Sequence, residues 1–457
     1  MKLFQKLLVA STAMSLITPL AAQASDTVNL DKVNNFSEVQ RFDDKTFTNE
    51  VSDDLTVLKD ILNRLSDKGL IGSDDLANLK ESLDETETKQ NVLEAGGFSD
   101  TTTMDGKAIF TLGSVEYDDN SGNEAIQAYY SYTMNLNSSF TGDDNLYVRI
   151  KSGNGGDFAN SKTYGTYLSS NKANGDVLKV DKIWYQFPVG ENNTVWVGPK
   201  IENYYMHGTS PSIYKPVTKQ FTLGGNGNAY GASTDTGAGW AYQADNGFAI
   251  SSNIGTKSTT TGSVDILNDD DVVIGSKAVN TGLLTDQTKT SWATQIGYTQ
   301  PRYSGSVIVN RKTNGWSDSY YKAGDINGDA SSTDPYTAIG LRGWWRPEST
   351  GSAAPSVSVG YDTTEYDSSA GQEKADAWFV GLNWQDIFRA EDRIGAAFGK
   401  PTTNESSDLD PFAYEVYYSF KPNDSVTITP TIFGGSNRNG TADGDITGAL
   451  IETTFKF

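Results

Sequence analysis

From Lys107 to the last residue, apolar side chains recur at every second position, and this alternation leaves few folds open. Along Phe412–Lys421 one face carries Phe412, Tyr414, Val416, Tyr418 and Phe420, and the other Ala413, Glu415, Tyr417, Ser419 and Lys421. Ile126, Ala128, Tyr130, Tyr132, Met134 and Leu136 repeat the pattern against Gln127, Tyr129, Ser131, Thr133 and Asn135. Leu146, Val148 and Ile150 do so against Tyr147, Arg149 and Lys151. Period two means strands with one apolar and one wet face. A soluble sandwich alternates as well, so the connections have to decide.

Strands are expected near 107–117, 124–137, 144–151, 179–189, 193–202, 238–244, 247–254, 291–299, 304–311, 335–345, 355–362, 374–384, 391–400, 411–421, 424–434 and 446–457. That is about 16 strands, an even number, as single-chain bacterial barrels require. Every second link tends to be a tight turn, at Gly190–Asn193, Asp245–Asn246, Gln300–Tyr303 and Pro422–Asn423. The links between them are long and polar, at 152–178, 203–237, 255–290 and 312–334. An up-and-down antiparallel transmembrane barrel sorts its links in this way, with turns on the periplasmic rim and loops outside. Trp184, Tyr185, Trp196, Trp240, Tyr242, Trp292, Tyr298, Trp344, Trp345, Trp378 and Trp384 lie in or near strand ends, where interfacial girdles belong.

Ahead of the barrel the period changes. Met1–Lys6 carries two lysines, Leu7–Leu20 is apolar, and Ala22-Gln23-Ala24 offers small residues for cleavage. Residues 1–24 read as a signal peptide, so the protein is expected to be exported. Val51, Leu55, Leu58, Leu62 and Leu65, then Leu76, Leu79 and Leu83, follow helical spacing, with Ser73 as N-cap. Residues 25–105 are expected to form a periplasmic helical region, packing on itself or self-associating as a coiled coil. Residues 106–457 are expected to form the barrel.

Composition narrows the chemistry. The net charge of -22 disfavours nucleic acid as a partner. With no cysteine there is neither a disulfide framework nor a thiolate metal site. His207 is the only histidine, which excludes sites built on two imidazoles. Ser210 and Ser212 lie near it but lack a nucleophile-elbow context. Asp325-Ile-Asn-Gly-Asp329 holds fragments of a calcium loop without the terminal glutamate spacing, and Gly224–Asn228 lies outside any strand-to-helix context. No catalytic residue, metal site or cofactor is expected, beyond non-specific divalent cations on acidic loops such as Asp118-Asp119 and Asp269–Asp271.

The leader Met1–Ala10, the segment Phe36-Ser-Glu-Val-Gln40, the leucine seams, Gly106-Lys-Ala-Ile-Phe110 and the final Phe457 together resemble cyanobacterial outer-membrane porins. That group is similar to carbohydrate-selective porins. The resemblance implies a water-filled outer-membrane channel, a homotrimer, and an S-layer-homology segment that attaches to peptidoglycan. The chain departs from that segment at Arg41–Phe47, where the family's acidic-Trp-Ala helix start is replaced. Phe455 and Phe457, ending an alternating strand, resemble the signal read by the barrel-insertion machinery.

If apolar faces meet outer-membrane lipid, the other faces meet water. Inward candidates are then Arg149, Lys151, Lys182, Lys200, Arg342, Arg393, Lys421 and Lys456, against Glu415 and Glu452. A basic lumen in an acidic protein predicts a weak anion preference. The third outer loop, about 203–237, carries Tyr204, Tyr205, His207, Tyr214, Lys215 and Lys219. By resemblance to general porins it would fold inward as a constriction; the alternative is a loop lying outside. The expected function is passive diffusion of small solutes and inorganic ions, small sugars among them. The competing classes are a barrel enzyme or dedicated transporter, and a secreted soluble β protein for adhesion or surface coating.

Overall fold

The computed structural model describes residues 101–457 apart from short stretches inside connecting loops, the longest being 317–334. The expected signal peptide, the leucine seams, the segment at Phe36–Phe47 and the acidic stretches Asp269–Asp271 and Asp325–Asp329 lie outside the described residues.

Where alternation begins, strands begin. The first four are β1 (Thr102–Tyr117), β2 (Gln127–Ser138), β3 (Asn145–Gly153) and β4 (Lys179–Val189). They are followed by β5 (Asn193–Lys200), β6 (Gly237–Gln243), β7 (Phe248–Lys257), β8 (Ser263–Leu267) and β9 (Val273–Ala278). Next come β10 (Lys289–Gln300), β11 (Tyr303–Thr313), β12 (Tyr336–Trp345), β13 (Ser356–Tyr366) and β14 (Lys374–Gln385). The chain ends with β15 (Arg393–Asn404), β16 (Phe412–Asn423), β17 (Val426–Ser436) and β18 (Ile446–Lys456). Sixteen of these pair antiparallel around a closed ring, with β18 returning to β1, so the barrel has no free edge.

Each of the sixteen expected strands has its counterpart. β1 starts at Thr102, so the last few residues assigned to the helical region belong to the barrel. Tight links at 190–192, 244–247, 301–302 and 424–425 mark one rim. The last of these replaces the expected turn at Pro422–Asn423, which instead ends β16. The long links, 154–178 and 201–236 among them, leave the other rim. β8 and β9 form a separate hairpin within the link after β7. Its signal was the β-branched residues on either side of the acidic run Asp269–Asp271.

The radial pattern inverts that of a soluble sandwich. Along β11, Val307 and Val309 are exposed on the outside while Ser306, Asn310 and Lys312 are buried inside. Along β10, Trp292 is 59% exposed, whereas Ser291 and Gln295 are each 1% exposed. Phe110, Leu341, Val359, Phe398, Val416 and Ile432 continue the outer apolar band. A band of this kind is stable only against lipid. The inner face is not uniformly polar, however. Phe379, Tyr417, Phe433 and Leu450 point inward and pack with Phe158, Leu168, Val217 and Phe221 from two long links. The expectation that inner faces meet only water is corrected there: part of the lumen is filled by protein.

Candidate functional site

The lumen is shaped by the β5–β6 loop (201–236), which is held against inward side chains around half the ring. The Gly208 amide donates to Ser251 Oγ of β7 at 3.1 Å. Gln295 of β10 accepts from the Thr209 amide and donates to its carbonyl, both at 3.0 Å. The Ile213 and Tyr214 amides share Ser358 Oγ of β13, at 3.1 and 3.2 Å. On β16, Glu415 accepts from the Tyr214 hydroxyl (2.8 Å) and from the Val217 amide (3.1 Å). It also accepts the Thr218 amide (2.7 Å) and hydroxyl (2.6 Å). Farther along, Lys312 Nζ donates to the Asn228 carbonyl at 2.9 Å and Asn310 to that of Ala229 at 3.2 Å.

Arg342 of β12 fixes the same loop. Its Nε donates to the Leu223 carbonyl at 2.9 Å, its guanidinium lies 4.7 Å from the Tyr230 ring centre, and Nη2 pairs with Asp362 of β13 at 2.6 Å. Asp362 in turn accepts the Ala229 amide at 3.2 Å. Here the wall comes so close that a β-carbon on Gly360 would sit 1.9 Å from the Gly224 carbonyl oxygen.

The β3–β4 loop (154–178) turns in as well and joins its neighbour through the main chain. Leu168 and Thr218 form a β-bridge. The Ser169 amide donates to the Val217 carbonyl at 2.8 Å, and the Lys219 amide to that of Tyr167 at 2.7 Å. Ser170 Oγ donates to Glu452 of β18. The two loops therefore form one hydrogen-bonded body inside the ring.

Where that body meets β3 and β4 lies a charged cluster. Arg149 donates from Nε to Asp181 at 2.7 Å and from Nη2 to Glu202 at 2.6 Å, and Lys172 reaches Asp181 at 2.8 Å. Lys182 Nζ donates to the Ile201 carbonyl at 3.1 Å. Beside it the rings of Tyr147 and Trp184 stand 4.4 Å apart, Trp184 and Tyr205 5.1 Å, and Tyr205 and Tyr204 5.0 Å.

The ten residues expected inside do not share one role. Glu415 and Arg342 are loop anchors and Glu452 holds the β3–β4 loop, while Arg149 is neutralised by Asp181 and Glu202. Lys151 follows Arg149 on the same face, and Lys456 lies opposite Lys107. Arg393 enters from the turn-side rim, and Lys421 pairs there with Glu391. Lys200 is a correction. An irregularity in the β4–β5 ladder sets it opposite Ile183, on the outer face, where its ammonium donates to the Val180 carbonyl at 3.0 Å.

Of the loop residues, Tyr214 is buried against Glu415, Lys219 takes part in the bridge to the other loop, and Lys215 is exposed. Tyr204 bonds Glu202. His207 stands edge-on to Tyr230 at 5.2 Å with Nδ1 3.4 Å from Asn253 Nδ2, and burial pushes its pKa down to about 3.

Lys107, Lys172, Asp181, Glu202 and Asp362 were missed. Asp362 shares a face with Ser358, so parity alone placed it inside. Asp181 falls at a ladder irregularity that breaks parity, and Lys107 is disguised by the inward apolar Ile109 two residues on.

A ring of sixteen strands with apolar outside, polar inside and inturned loops is the architecture of a membrane channel, and the comparison with known families agrees. The family model described as carbohydrate-selective porin, OprB family, matches residues 73–457. The chain belongs to that family. An uncharacterized protein of Nostoc sp. is 26% identical over 421 residues, covering 84% of this chain and 70% of that one. Among solved structures, Pseudomonas putida OprB at high pH superposes with a TM-score of 0.56 at 12% identity, covering 82% of this chain and 97% of that one. The anion-selective porin from Comamonas acidovorans gives 0.51 at 10% identity, covering 78% and 99%. As an OprB-family porin the protein resides in the outer membrane, with its aromatic and aliphatic outer band in lipid. By family and fold it is a channel.

Proposed function

We propose that this porin passes small hydrophilic solutes, saccharides among them, together with inorganic ions, and weakly prefers anions. The observation that carries the reading is the imbalance of charge in the lumen. Carboxylates Asp181, Glu202, Asp362 and Glu415 are spent on Arg149, Arg342 and the β5–β6 loop. Lys107, Lys151, Lys215, Arg393 and Lys456 have no carboxylate within ion-pair distance among the described residues. Fixed positive charge along a narrow aqueous path raises the local anion concentration. The family description supports saccharides as cargo.

Purified protein in planar bilayers should give step conductances, and its reversal potential in a KCl gradient should favour chloride. Lys107→Glu with Lys456→Glu should move that potential toward potassium. A wild-type preference for potassium would reject the anion reading, and electrically silent bilayers would reject the channel. A homotrimer belongs to the same proposal, as does reading of Phe455 and Phe457 by the insertion machinery. Phe455 packs outward against Phe110 at 5.2 Å, which leaves that strand end accessible from the lipid side. Cross-linking of membranes before solubilisation should give a band of three chains.

A further inference from the structure

Two arginines on the turn-side rim have no part in the lumen. Arg302 sits in the turn between β10 and β11, and Arg346 opens the link from β12 to β13. Their backbones are joined, the Arg346 amide donating to the Arg302 carbonyl at 2.9 Å. Each side chain is tethered through Nε to a main-chain carbonyl of the other link: Arg346 to Pro301 at 2.6 Å, and Arg302 to Arg346 at 3.4 Å. Glu348 approaches Arg302 at 3.5 Å, but its side chain is 87% exposed, and such a pair contributes little in water. Arg346 has no carboxylate within ion-pair distance among the described residues. The link itself is pinned to the end of β14. The Gly351 amide donates to the Gln385 carbonyl at 2.8 Å, and Trp384 Nε1 to the Ala353 carbonyl at 2.9 Å. Between it and the 301–302 turn lies an open cleft of about 400 Å³, lined by Arg302, Arg346, Ser349, Thr350 and Ser352 among others.

The lipid side of this rim is aromatic. Tyr303 and Trp345 are register partners on the outer row, and both are exposed, as is Tyr298. The Tyr298 and Tyr303 ring centres lie 6.4 Å apart, and the Arg302 guanidinium stands 5.9 Å from the Trp345 ring. Short turns face the periplasm, so these rings meet the inner leaflet, and interfacial aromatics mark the depth of the headgroups. Two guanidiniums against one carboxylate leave the cleft positive at that depth, and guanidinium N–H groups match phosphate oxygens. A zwitterionic headgroup would bring its own cation to the arginines, and a neutral one would leave them uncompensated. A free phosphate ion shares the chemistry, but the adjoining lipid-facing rings favour a phosphate that carries acyl chains.

We propose that the cleft at Arg302 and Arg346 binds the phosphate of an anionic glycerophospholipid of the inner leaflet, with its acyl chains against Tyr303 and Trp345. The site lies apart from the lumen and does not depend on what the channel passes.

The test is lipid retention. Purified protein in detergent is incubated with an equimolar mixture of phosphatidylglycerol and phosphatidylcholine of the same acyl chains, repurified by gel filtration, and its bound lipid extracted and quantified. Phosphatidylglycerol should be enriched over phosphatidylcholine about tenfold, the scale of one charge-assisted hydrogen bond. Arg302→Gln with Arg346→Gln should abolish the enrichment. Arg389→Gln, which removes a cation of the turn between β14 and β15 on the same rim, should keep it. Unheated gel mobility and single-channel conductance verify that each variant is a folded barrel, and both should match wild type. If the double variant does not fold, Arg346→Gln alone replaces it. Equal retention of the two lipids, or an enrichment that survives loss of the arginines, overturns the site. The incubation is repeated in excess inorganic phosphate, which should leave the lipid bound. Displacement of phosphatidylglycerol by the free ion overturns the lipid assignment and marks the cleft as a site for phosphate alone.

Discussion

Glu415 spends both carboxylate oxygens on the β5–β6 loop, so its truncation would strand the Val217 and Thr218 amides together with two hydroxyls. Each stranded buried group costs about 1–3 kcal/mol, and charge-assisted bonds lie at the upper end. Glu415→Ala is therefore expected to free the loop, giving larger and noisier single-channel currents and faster proteolysis near Thr218. Glu415→Gln, which keeps an acceptor, should be intermediate. Unchanged noise in both variants would show that the carboxylate is not what holds the loop. His207 supplies a pH test of the same loop. In water the imidazole titrates near ~6.5, but in place its pKa is depressed to about 3 by burial, so the seated loop requires the neutral ring. The sign follows: as pH falls below ~6.5 the released loop gains a proton that the seated loop refuses, and stability is lost progressively toward about 3. Channel noise should rise between pH 7 and pH 4, and His207→Gln should flatten that rise. A profile indifferent to the substitution would assign the acid sensitivity elsewhere.

One end of the closing β1–β18 seam is tight at a single glycine. Gly106 donates to the Phe457 carbonyl at 2.9 Å and accepts the Phe457 amide at 3.2 Å, while Phe457 lies 5.8 Å from the Tyr132 ring in a stacked arrangement. A β-carbon at Gly106 would stand 2.6 Å from the Phe457 ring and 2.7 Å from the Thr133 carbonyl oxygen. Gly106→Val should cost about 1–3 kcal/mol by overpacking the seam, read as a lower midpoint for loss of the compact gel species on heating. A wild-type midpoint would mean that the seam relaxes freely. The strands themselves were legible because each has an outward apolar row, and lipid permits no exception longer than a residue or two. What alternation does not encode is its own interruption. Lys200 was placed on the wrong face because a ladder irregularity precedes it, and Asp181 was overlooked for the same reason on the other side of β4. The β8–β9 hairpin escaped because each of its strands offers only five or six residues of pattern.

At the scale of the whole molecule, the sequence told inside from outside well and told little about what fills the inside. Glu415 and Glu452 bond to Thr218 and Ser170, which lie far away along the chain, and no local pattern links them. The apolar inner positions Phe379 and Phe433 are misleading until Phe158 and Phe221 are seen packing on them.

The bridge between Leu168 and Thr218 ties together connections that leave different hairpins. Neither can swing aside without tearing main-chain bonds from the other, and both are fastened to the wall besides. An orifice framed by such a fixed grille should obey Ohm's law. Under a slow voltage ramp of either polarity, current should rise in straight proportion, with no long closed intervals at high potential.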